Sequence, residues 1–344
     1  MSSKVIVIGG GPAGMQAALS LKTAGLEPVI IERSGELGGK LREWHHLFPT
    51  STPACEVLEK FEGDLRAAGI EPLLHTEVER ISDAGVVLPG GKTMDADAVI
   101  VASGFDIFDA RLKEEYGYKI YDNVYTTVDI ERMLNNGKVA LHDGSKPRRI
   151  AFLHCVGSRD EKVDQKHCSK VCCITGVKQA MEMKTIFPEA DIYNFYMDIR
   201  MFGPGYEELY QQAQQDYNIN FIRGRVSEAS PTIDGQIQIK AEDTLVGRPM
   251  KMTVDMLVLI VGMKSGAANE NFAKTPGVNL ASSGFIAPAD PFTGNVSSGR
   301  RNLFYAGTVT APKTIGESIN EGALAAQRVK EYLSSRNPSL RGTE

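Results

Sequence analysis

A chain of 344 residues is long enough to form two compact domains, each with its own hydrophobic core. The net charge of −5 argues against a nucleic-acid-binding protein, because such proteins normally concentrate basic residues on one face. The apolar run from Val5 to Ile8 is too short to span a bilayer, and only Met1 to Lys4 precede it, so we expect neither a membrane span nor a targeting peptide. The five cysteines lack the spacing of a secreted disulfide framework, which indicates a cytoplasmic protein.

The first predicted elements are a strand, a glycine-rich turn, a helix and a second strand. They are expected over Lys4 to Ile8, over positions 9–14 with the letters GGGPAG, over Met15 to Ala24 and over Pro28 to Glu32. In a GxGxxG turn, Gly9 permits the sharp bend, Gly11 lets the backbone approach a pyrophosphate, and Gly14 allows close packing of helix and strand. The diphosphate would lie at the helix N-terminus, and Glu32 would accept hydrogen bonds from a ribose diol. The pattern predicts a dinucleotide site.

A second strand–turn–helix unit follows in the middle of the chain, and its turn has a different composition. Strands are predicted over 148–153 and 190–197, a helix over 172–187, and one buried strand over 252–261, closed by Gly262. A nicotinamide-binding reductase would have GxGxxG or GxGxxA after Leu153, whereas this chain has the letters HCVGSRD at positions 154–160. A pyrophosphate loop is difficult to build from that sequence.

Four cysteines stand in and after this turn with the spacing C-x12-C-x3-C-C, at positions Cys155, Cys168, Cys172 and Cys173. The chain has no C-x-x-C pair, so the redox dithiol of thioredoxin reductases is absent. Zinc usually takes two separated C-x2–4-C pairs, whereas a [4Fe–4S] cluster takes four thiolates. The nearby residues Lys166, Lys170, Lys178 and Arg159 would favour ionised sulfur. A zinc-stabilised scaffold and buried structural cysteines remain the alternatives.

Three segments resemble the flavoproteins of the thioredoxin reductase and glutathione reductase type. An acid followed by a double glycine lies at 32–40, an ATG-type strand at 99–105, and a late strand that would hold the ribityl chain at 302–308. The resemblance implies an α/β fold with two Rossmann-like dinucleotide-binding domains, the second modified to hold an iron–sulfur cluster. Residues 1–128 and 280–344 would form the FAD domain, and residues 129–279 the modified NAD(P)-type domain.

The same resemblance implies a set of FAD-contacting residues, and no side chain is assigned a catalytic role. The set comprises Gly9, Gly11, Pro12, Ala13, Gly14, Glu32, Arg33, Gly39, Lys40, Leu41, Val78, Ala102, Ser103, Gly104, Gly307, Thr308, Lys313, Thr314 and Ile315. Thr308 departs from the usual Asp of the family, so its contact to the ribityl chain would lack charge assistance. A helix over Thr314 to Leu333 would direct its positive N-terminus at the flavin. Lys40 and Lys313 are either helpers of the flavin or surface lysines.

Longer strings around the cysteines resemble the flavin-bearing core of HdrA, a constituent of heterodisulfide reductases. They lie at 155–160, 168–173, 178–180, 197–208 and 221–226. The resemblance implies FAD together with a [4Fe–4S] cluster held by Cys155, Cys168, Cys172 and Cys173. The C-x2-C-x2-C ferredoxin motifs of the full-length HdrA proteins are absent, so the chain is similar to the short HdrA-like form of sulfur-oxidising bacteria. Flavin-based electron bifurcation is therefore not expected.

The sequence accordingly predicts an oxidoreductase that transfers electrons within a heterodisulfide reductase-like complex of sulfur metabolism. Its partners would be the other subunits, with neither nucleic acid nor membrane, and the family implies a homodimer. An NAD(P)H-dependent flavin oxidoreductase is the alternative. Cys55 either faces the flavin or is a partly buried thiol, the latter being favoured. His154 and His167 either tune the cluster or are bystanders.

Overall fold

The computed structural model describes residues 3–336, and this part of the chain forms two units. The first unit contains residues 3–42, 55–106 and 264–336, and the second contains residues 43–54 and 107–263. These boundaries differ from the predicted ones in three segments, because 43–54 and 107–128 lie in the second unit and 264–279 in the first. Packing explains the last segment, since Phe272 and Val278 belong to the hydrophobic core that contains Ile6 and Ile8.

The described residues contain seven α-helices and a larger number of mostly short strands. The helices are α1 (Pro12–Thr23), α2 (Ala54–Ala67), α3 (Thr127–Asn135), α4 (Cys172–Ile186), α5 (Tyr206–Gln215), α6 (Ala268–Phe272) and α7 (Ile315–Arg336). The strands are β1 (Lys4–Ile8), β2 (Glu27–Ile31), β3 (His46–Leu47), β4 (Thr52–Pro53), β5 (Arg80–Ile81), β6 (Gly85–Val87), β7 (Thr93–Asp95), β8 (Ala98–Val101), β9 (Phe105–Ile107), β10 (Val124–Thr126), β11 (Arg149–Val156), β12 (Asp191–Tyr196), β13 (Asn220–Arg223), β14 (Val226–Pro231), β15 (Ile237–Asp243), β16 (Arg248–Val254), β17 (Met256–Val261), β18 (Met263–Ser265), β19 (Asn279–Leu280), β20 (Ile286–Ala287) and β21 (Leu303–Tyr305). None of the described helices has both the length and the apolar character that a membrane crossing requires.

The first unit is built on a parallel sheet of strand order β2–β1–β8–β21. Its central strand β1 is apolar and β-branched, and Val5, Ile6 and Val7 are fully buried, as expected for a parallel strand covered on both faces. Helix α1 packs on this sheet and against α7. Close approach of the two helices depends on Gly322, because a Cβ there would lie 2.3 Å from the Ala13 carbonyl oxygen.

The second unit contains a five-stranded parallel sheet of order β10–β17–β11–β12–β13 and an antiparallel meander, β14–β15–β16. Strand β10 pairs with β17, which explains why the chain enters this unit well before the predicted boundary at residue 129. The one buried strand predicted over 252–261 is wrong. The chain divides at Asp255, because Met252 pairs with Ile239 in the meander whereas Leu257 pairs with Ala151 in the parallel sheet.

Candidate functional site

The turn between β1 and α1 requires glycine at two positions and leaves space at a third. Gly9 has φ +105°, and a Cβ at that residue would lie 2.4 Å from the Ala102 carbonyl oxygen. At Gly14 a Cβ would lie 1.9 Å from the Gly9 oxygen, so this helix can reach the strand only without a side chain there. A Cβ on Gly11, by contrast, would meet nothing within 4 Å. The turn therefore presents an open backbone surface at the N-terminus of α1, where Pro12 begins the helix.

Glu32 follows β2 and is 8% exposed. Its carboxylate accepts hydrogen bonds from the Gly10 N–H (2.7 Å), the Ser34 N–H (2.8 Å) and the Ser34 hydroxyl (2.9 Å). The carboxylate thus ties the first turn to the segment that follows β2. Its contact with a ribose diol stays a prediction, as does any contact made by the exposed Arg33.

The double-glycine segment lies over the first turn. The Gly38 N–H donates to the Gly10 oxygen (2.8 Å), and a Cβ on Gly39 would lie 3.3 Å from the Gly11 Cα. Lys40 follows with its ammonium 5.7 Å from the centre of the Phe105 ring, and the side chain of Leu41 is 2% exposed. The segment therefore adds a second backbone surface to the open space beside Gly11.

An open cleft runs from the first turn along the carboxyl ends of the parallel strands. Predicted residues Gly9, Glu32, Val78 and Ser103 line it, together with Phe272. The Ser103 hydroxyl oxygen is buried and has no hydrogen-bond partner among the described residues. Buried polar atoms are normally satisfied, so an orphaned hydroxyl in a cleft indicates a ligand group.

The late strand β21 leads into a turn that is packed against the first one. Gly307 has φ +74°, and a Cβ there would lie 2.8 Å from the Ala13 Cβ. The nearby Thr308 hydroxyl lies 3.9 Å from the position that a Cβ on Gly104 would take. The predicted segments 9–14, 102–104 and 307–308 are therefore brought together within the first unit.

A largely buried ion pair stabilises this late turn, and one of its members, Glu321, was not predicted. The Glu321 carboxylate accepts a hydrogen bond from the Gly307 N–H (3.0 Å) and lies 3.3 Å from the Lys313 ammonium. Burial raises the pKa of Glu321, while the charge of Lys313 opposes that rise. Lys313 also donates to the Gly307 carbonyl (3.1 Å), so it is a structural partner of the turn rather than a solvated surface lysine. An acid within an alanine-containing helix was the only sequence signal for Glu321.

Helix α7 begins with a capping box formed by Thr314 and Glu317, directly before Ile315. The Thr314 N–H donates to the Glu317 carboxylate (2.9 Å), and the Glu317 N–H donates to the Thr314 hydroxyl (3.2 Å). This reciprocal pair satisfies two of the backbone donors that a helix start leaves without partners. The predicted helix is confirmed, running to Arg336 instead of Leu333.

In the second unit, the turn between β11 and α4 has a different construction. Fifteen residues, 157–171, separate the strand from the helix. Cys155 has φ +62°, and the pairing of β11 with β17 shifts register between Leu153 and Val156. A positive φ is uncommon for residues other than glycine, and such conformations are concentrated at functional sites.

Protein atoms fill the start of this second turn. A Cβ on Gly157 would lie 2.0 Å from the Phe108 ring, and a Cβ on Gly262 would lie 2.5 Å from the Gly157 oxygen. Gly9, the first residue after β1, is packed in a similar way, whereas Gly11 two residues later faces open space. The two turns differ instead in length and composition, because the second has fifteen residues and no GxGxxG spacing.

Three of the four clustered cysteines, Cys155, Cys172 and Cys173, come together where the turn meets α4. Cys155, Cys172 and Cys173 are buried, and Cys168 is half-buried. Cys172 and Cys173 are the first two residues of α4, and the Cys172 sulfur is hydrogen-bonded to those of Cys155 and Cys173. Cys168 accepts a hydrogen bond from the Lys170 N–H (3.4 Å). A donor set made of sulfur alone selects zinc or an iron–sulfur cluster among the common metals.

The electrostatics favour ionised sulfur at two of these positions. A hydrogen bond from Cys172 lowers the pKa of Cys155 despite its burial, and His154 and Arg159 act in the same direction. The pKa of Cys173 is lowered by its hydrogen bond with Cys172 against the effect of burial, with further help from His154. The same sulfur–sulfur hydrogen bonds raise the pKa of Cys172. Metal ligation requires thiolates, so this environment suits it.

Several residues predicted near the thiols have other partners. Arg159 pairs with Asp198 (2.8 Å) and also contributes positive charge at Cys155 and Cys168. Lys178 is buried and directed elsewhere, with its ammonium 2.6 Å from Glu131. Six residues after Cys172, it points to a different face of the helix.

The two histidines beside the cysteines are both held by hydrogen bonds. Buried His154 shares one with Asn194 (Nε2···Oδ1 2.8 Å), and His167 Nε2 lies 2.8 Å from the Met263 carbonyl oxygen. Burial alone would lower the pKa of His154, but the Cys173 sulfur raises it overall. The favoured prediction for Cys55 is wrong, because this thiol is exposed in the first turn of α2.

Comparisons with known proteins agree with this geometry. Residues 4–44 match the family model described as FAD dependent oxidoreductase. The chain is 30% identical to the HdrA component of the H(2):CoB-CoM heterodisulfide,ferredoxin reductase of Methanothermobacter marburgensis, covering 95% of this chain and 63% of that protein. It is also 30% identical to the iron-sulfur HdrA component of the CoB--CoM heterodisulfide reductase of Methanocaldococcus jannaschii, covering 94% and 63%. The chain thus spans somewhat less than two thirds of the curated relatives that it matches.

Solved structures identify the fold. Thioredoxin reductase of Lactococcus lactis superimposes with a TM-score of 0.69 at 18% identity, covering 97% of this chain and 100% of that one. The T. acidophilum thioredoxin reductase gives 0.68 at 19% identity, with 98% and 99% covered. The predicted α/β fold with two dinucleotide-binding domains is confirmed. The chain is therefore a homologue of the HdrA proteins of heterodisulfide reductases, with the fold of the thioredoxin reductases.

Proposed function

We propose that this chain is the FAD- and [4Fe–4S]-containing electron-transfer subunit of a heterodisulfide reductase-like complex. The observation that carries the proposal is the contrast between the turns, an open glycine turn after β1 and a cysteine-bearing turn after β11, where the sulfurs of Cys155, Cys172 and Cys173 interact. Bound FAD exchanges electrons in pairs and a bound cluster exchanges them singly, so the two cofactors together connect two-electron and one-electron chemistry. The chain is accordingly an oxidoreductase subunit.

In the first unit, this chain's own residues would bind and orient the flavin. The backbone at Gly11 and the start of α1 offer N–H donors to a diphosphate, and Glu32 retains acceptor capacity for a ribose. The orphaned Ser103 hydroxyl and the open cleft beside it support a polar ligand there. The capped start of α7 supplies a positive helix end for the flavin ring, as the resemblance implied.

In the second unit, Cys155, Cys168, Cys172 and Cys173 would hold the cluster as thiolates. Burial of three of them limits water at the site, and Arg159 lies close enough to offset part of the negative charge. The curated relatives include proteins named as iron-sulfur subunits, which agrees with this assignment. Cytoplasmic sulfur oxidation is the proposed setting, with other subunits of the complex as partners and a homodimer as the assembly.

Cofactor analysis tests the proposal directly. The protein is purified without oxygen, and its FAD, iron, acid-labile sulfide and zinc are quantified. We expect about one FAD and about four irons per chain for one four-iron cluster. Zinc in place of iron would support a zinc-stabilised scaffold instead.

A pair of serine variants tests the ligand assignment. Cys172→Ser should lose the iron–sulfur absorbance and most of its iron while keeping FAD, because the two sites lie on different units. Cys55→Ser is the matched control, since that thiol is exposed and belongs to the first unit. A Cys172→Ser protein with a full cluster spectrum would contradict the assignment.

Rapid mixing with NADH separates the proposal from an NAD(P)H-dependent flavin oxidoreductase. The second turn has fifteen residues and lacks the GxGxxG spacing by which a nicotinamide dinucleotide is usually bound. We therefore expect the flavin absorbance to persist after mixing with NADH and to bleach with a one-electron donor. Prompt bleaching by NADH would favour the oxidoreductase alternative.

A further inference from the structure

Two histidines and a glutamate form a cluster in the second unit that is distinct from the cysteines. His45 Nδ1 lies 3.0 Å and His46 Nδ1 lies 2.8 Å from the same oxygen, Oε1 of Glu182. The three potential ligand atoms all lie within 4.8 Å of one another. Glu182 is ten residues after Cys172 on α4, which corresponds to roughly 15 Å along a helix. The cluster is therefore separate from the cysteine site.

A buried polar network holds the cluster in place. Glu131 accepts a hydrogen bond from the His45 backbone N–H (2.7 Å), and the Lys178 ammonium donates to the His46 carbonyl (3.1 Å). Lys178 and Glu131 are themselves paired at 2.6 Å, with both side chains almost fully buried. The backbone of both histidines is thus held by hydrogen bonds to a buried ion pair, which restricts where the two imidazoles can lie.

The network carries a net negative charge that a bound cation would neutralise. Lys178 and Glu131 neutralise each other, so one negative charge remains on Glu182 when both imidazoles are neutral. The second oxygen of Glu182, Oε2, is buried and makes no hydrogen bond to any described residue, although the Lys178 ammonium lies 3.3 Å away. The single ammonium of Lys178 thus faces two carboxylates, those of Glu131 and Glu182, and offsets only one of their two negative charges.

The donor set and its dimensions suit a zinc-class ion, meaning zinc or a similar divalent transition metal. Two imidazole nitrogens with one carboxylate oxygen favour zinc and its transition-metal neighbours, whereas magnesium and calcium prefer oxygen alone. Tetrahedral bonds of about 2.0–2.1 Å separate neighbouring ligand atoms by roughly 3.3 Å. The present N···O distances of 3.0 and 2.8 Å need to lengthen only by tenths of an ångström. The imidazoles are 29% and 30% exposed, which leaves a solvent path and a place for water.

We propose that His45, His46 and Glu182 bind one divalent zinc-class ion, with water completing the coordination. The ion links segment 43–54 to helix α4, which carries Cys172 and Cys173 at its start. This inference depends on neither the flavin nor the proposed [4Fe–4S] cluster.

Titration of Zn²⁺ into the full chain, purified anaerobically with its cofactors and stripped of loosely bound metal, tests the site. We expect one zinc to bind to the wild type and at least tenfold weaker binding to His46→Gln and to Glu182→Gln. His142→Gln is the matched control, because His142 is exposed and lies outside the cluster. Its zinc affinity should equal that of the wild type.

Two further readouts keep the test decisive. Iron and FAD contents before and after titration establish that the added zinc has not displaced iron from the proposed [4Fe–4S] cluster. The thermal midpoint of the wild type should rise with Zn²⁺, and that of His46→Gln should not. A wild type without saturable zinc binding would overturn the proposal irrespective of how the variants fold. Equal zinc affinity of the wild type, His46→Gln and Glu182→Gln would overturn the proposal as well.

Discussion

The turn between β1 and α1 and the turn between β11 and α4 occupy corresponding places in two parallel sheets. Strand β1 lies between β2 and β8, and β11 lies between β12 and β17. The first turn contains only residues 9–11, whereas the second contains residues 157–171. Each is followed by a helix that packs back on its own sheet, so the scaffold is shared and the turn differs.

Under the proposed assignment, one scaffold serves two kinds of ligand. A short glycine turn lets a ligand approach the backbone N–H groups closely. Its glycines are needed either because a side chain would collide with neighbouring atoms or because it would block the ligand. A long turn offers side chains, and its bends can direct thiols from separate positions toward one point. Four residues of the second turn and its approach have positive φ without being glycine: Cys155, Arg159, Asp164 and Lys170.

The largest expected effect comes from adding a single methyl group to the first turn. Gly14→Ala places a Cβ 1.9 Å from the Gly9 carbonyl oxygen, a backbone atom that cannot move without shifting β1. We expect a loss of more than about 4 kcal/mol in the free energy of unfolding, or no folded protein. Denaturant unfolding and FAD content are the measurements.

A second helical glycine provides the control for that variant. A Cβ added at Gly63 in α2 would meet nothing within 4 Å, so Gly63→Ala should be neutral or stabilising by roughly 0.5–1 kcal/mol. Equal behaviour of the two alanine variants would show that the first turn does not depend on close helix–strand packing.

The second turn depends instead on a buried ion pair. Lys113 and Asp160 are 1% and 3% exposed, and their charged atoms lie 2.7 Å apart. Asp160→Asn should cost about 2 kcal/mol in the free energy of unfolding, because Lys113 loses one of its two carboxylate partners and keeps only Glu115, 2.7 Å away. Asp164→Asn, an exposed position in the same turn, is the control and should change stability little.

The pH dependence of this effect has a defined sign. Burial alone would raise the pKa of Asp160, but hydrogen bonding to Lys113 lowers it overall. A carboxyl whose pKa is lower in the folded state stabilises above its unfolded pKa, and the stabilisation is lost as the pH falls through the folded pKa. The difference between wild type and Asp160→Asn should be constant from about pH 8 to 5 and should shrink below about pH 4. Urea unfolding across that range checks the sign.

The parts of this comparison that the sequence predicted are local. The GxGxxG turn with its strand and helix, and the helix that begins at Cys172, follow from residue spacing over short distances. The division at Asp255 was missed because each half of that apolar run pairs with a different sheet. Pairing partners far apart in the chain leave no periodic signal in the run itself.

The candidate sites likewise could be predicted only where their residues are close together in the sequence. The closeness of Cys155, Cys172 and Cys173 could be expected because they are near one another in the sequence, and the role of the four cysteines as ligands stays a prediction. The cluster of His46 and Glu182 was not, since packing brings together residues 136 positions apart. The burial of Lys178 with Glu131 was missed for a related reason, because nearness to Cys172 in sequence does not fix the helix face.

A smaller effect is expected where the first turn faces open space. Gly11→Ala meets nothing within 4 Å, so the unfolding free energy of the FAD-free protein should be nearly unchanged. FAD affinity should fall roughly tenfold or more, since the methyl group would take space needed by a diphosphate close to the backbone. Flavin fluorescence titration measures the change. Unchanged FAD affinity would remove Gly11 from the binding site.

The smallest effects compare two threonines that begin helices in the two units. Thr314 forms a capping box with Glu317 at α7, and Thr126 forms one with Asp129 at α3. Loss of a capping side chain costs about 1 kcal/mol, so Thr314→Ala and Thr126→Ala should lower the free energy of unfolding by similar amounts. Calorimetric or denaturant unfolding measures both.

Only one of the two alanine variants should also change the flavin. If the N-terminus of α7 faces the flavin ring as proposed, Thr314→Ala disturbs the helix end that stabilises the negative charge of the reduced form. Its flavin reduction potential should therefore become more negative, whereas Thr126→Ala should leave the potential unchanged because α3 belongs to the second unit. Equal flavin reduction potentials in both variants and the wild type would show that the N-terminus of α7 does not face the flavin ring. A shift confined to Thr314→Ala would identify the first unit as the flavin's site.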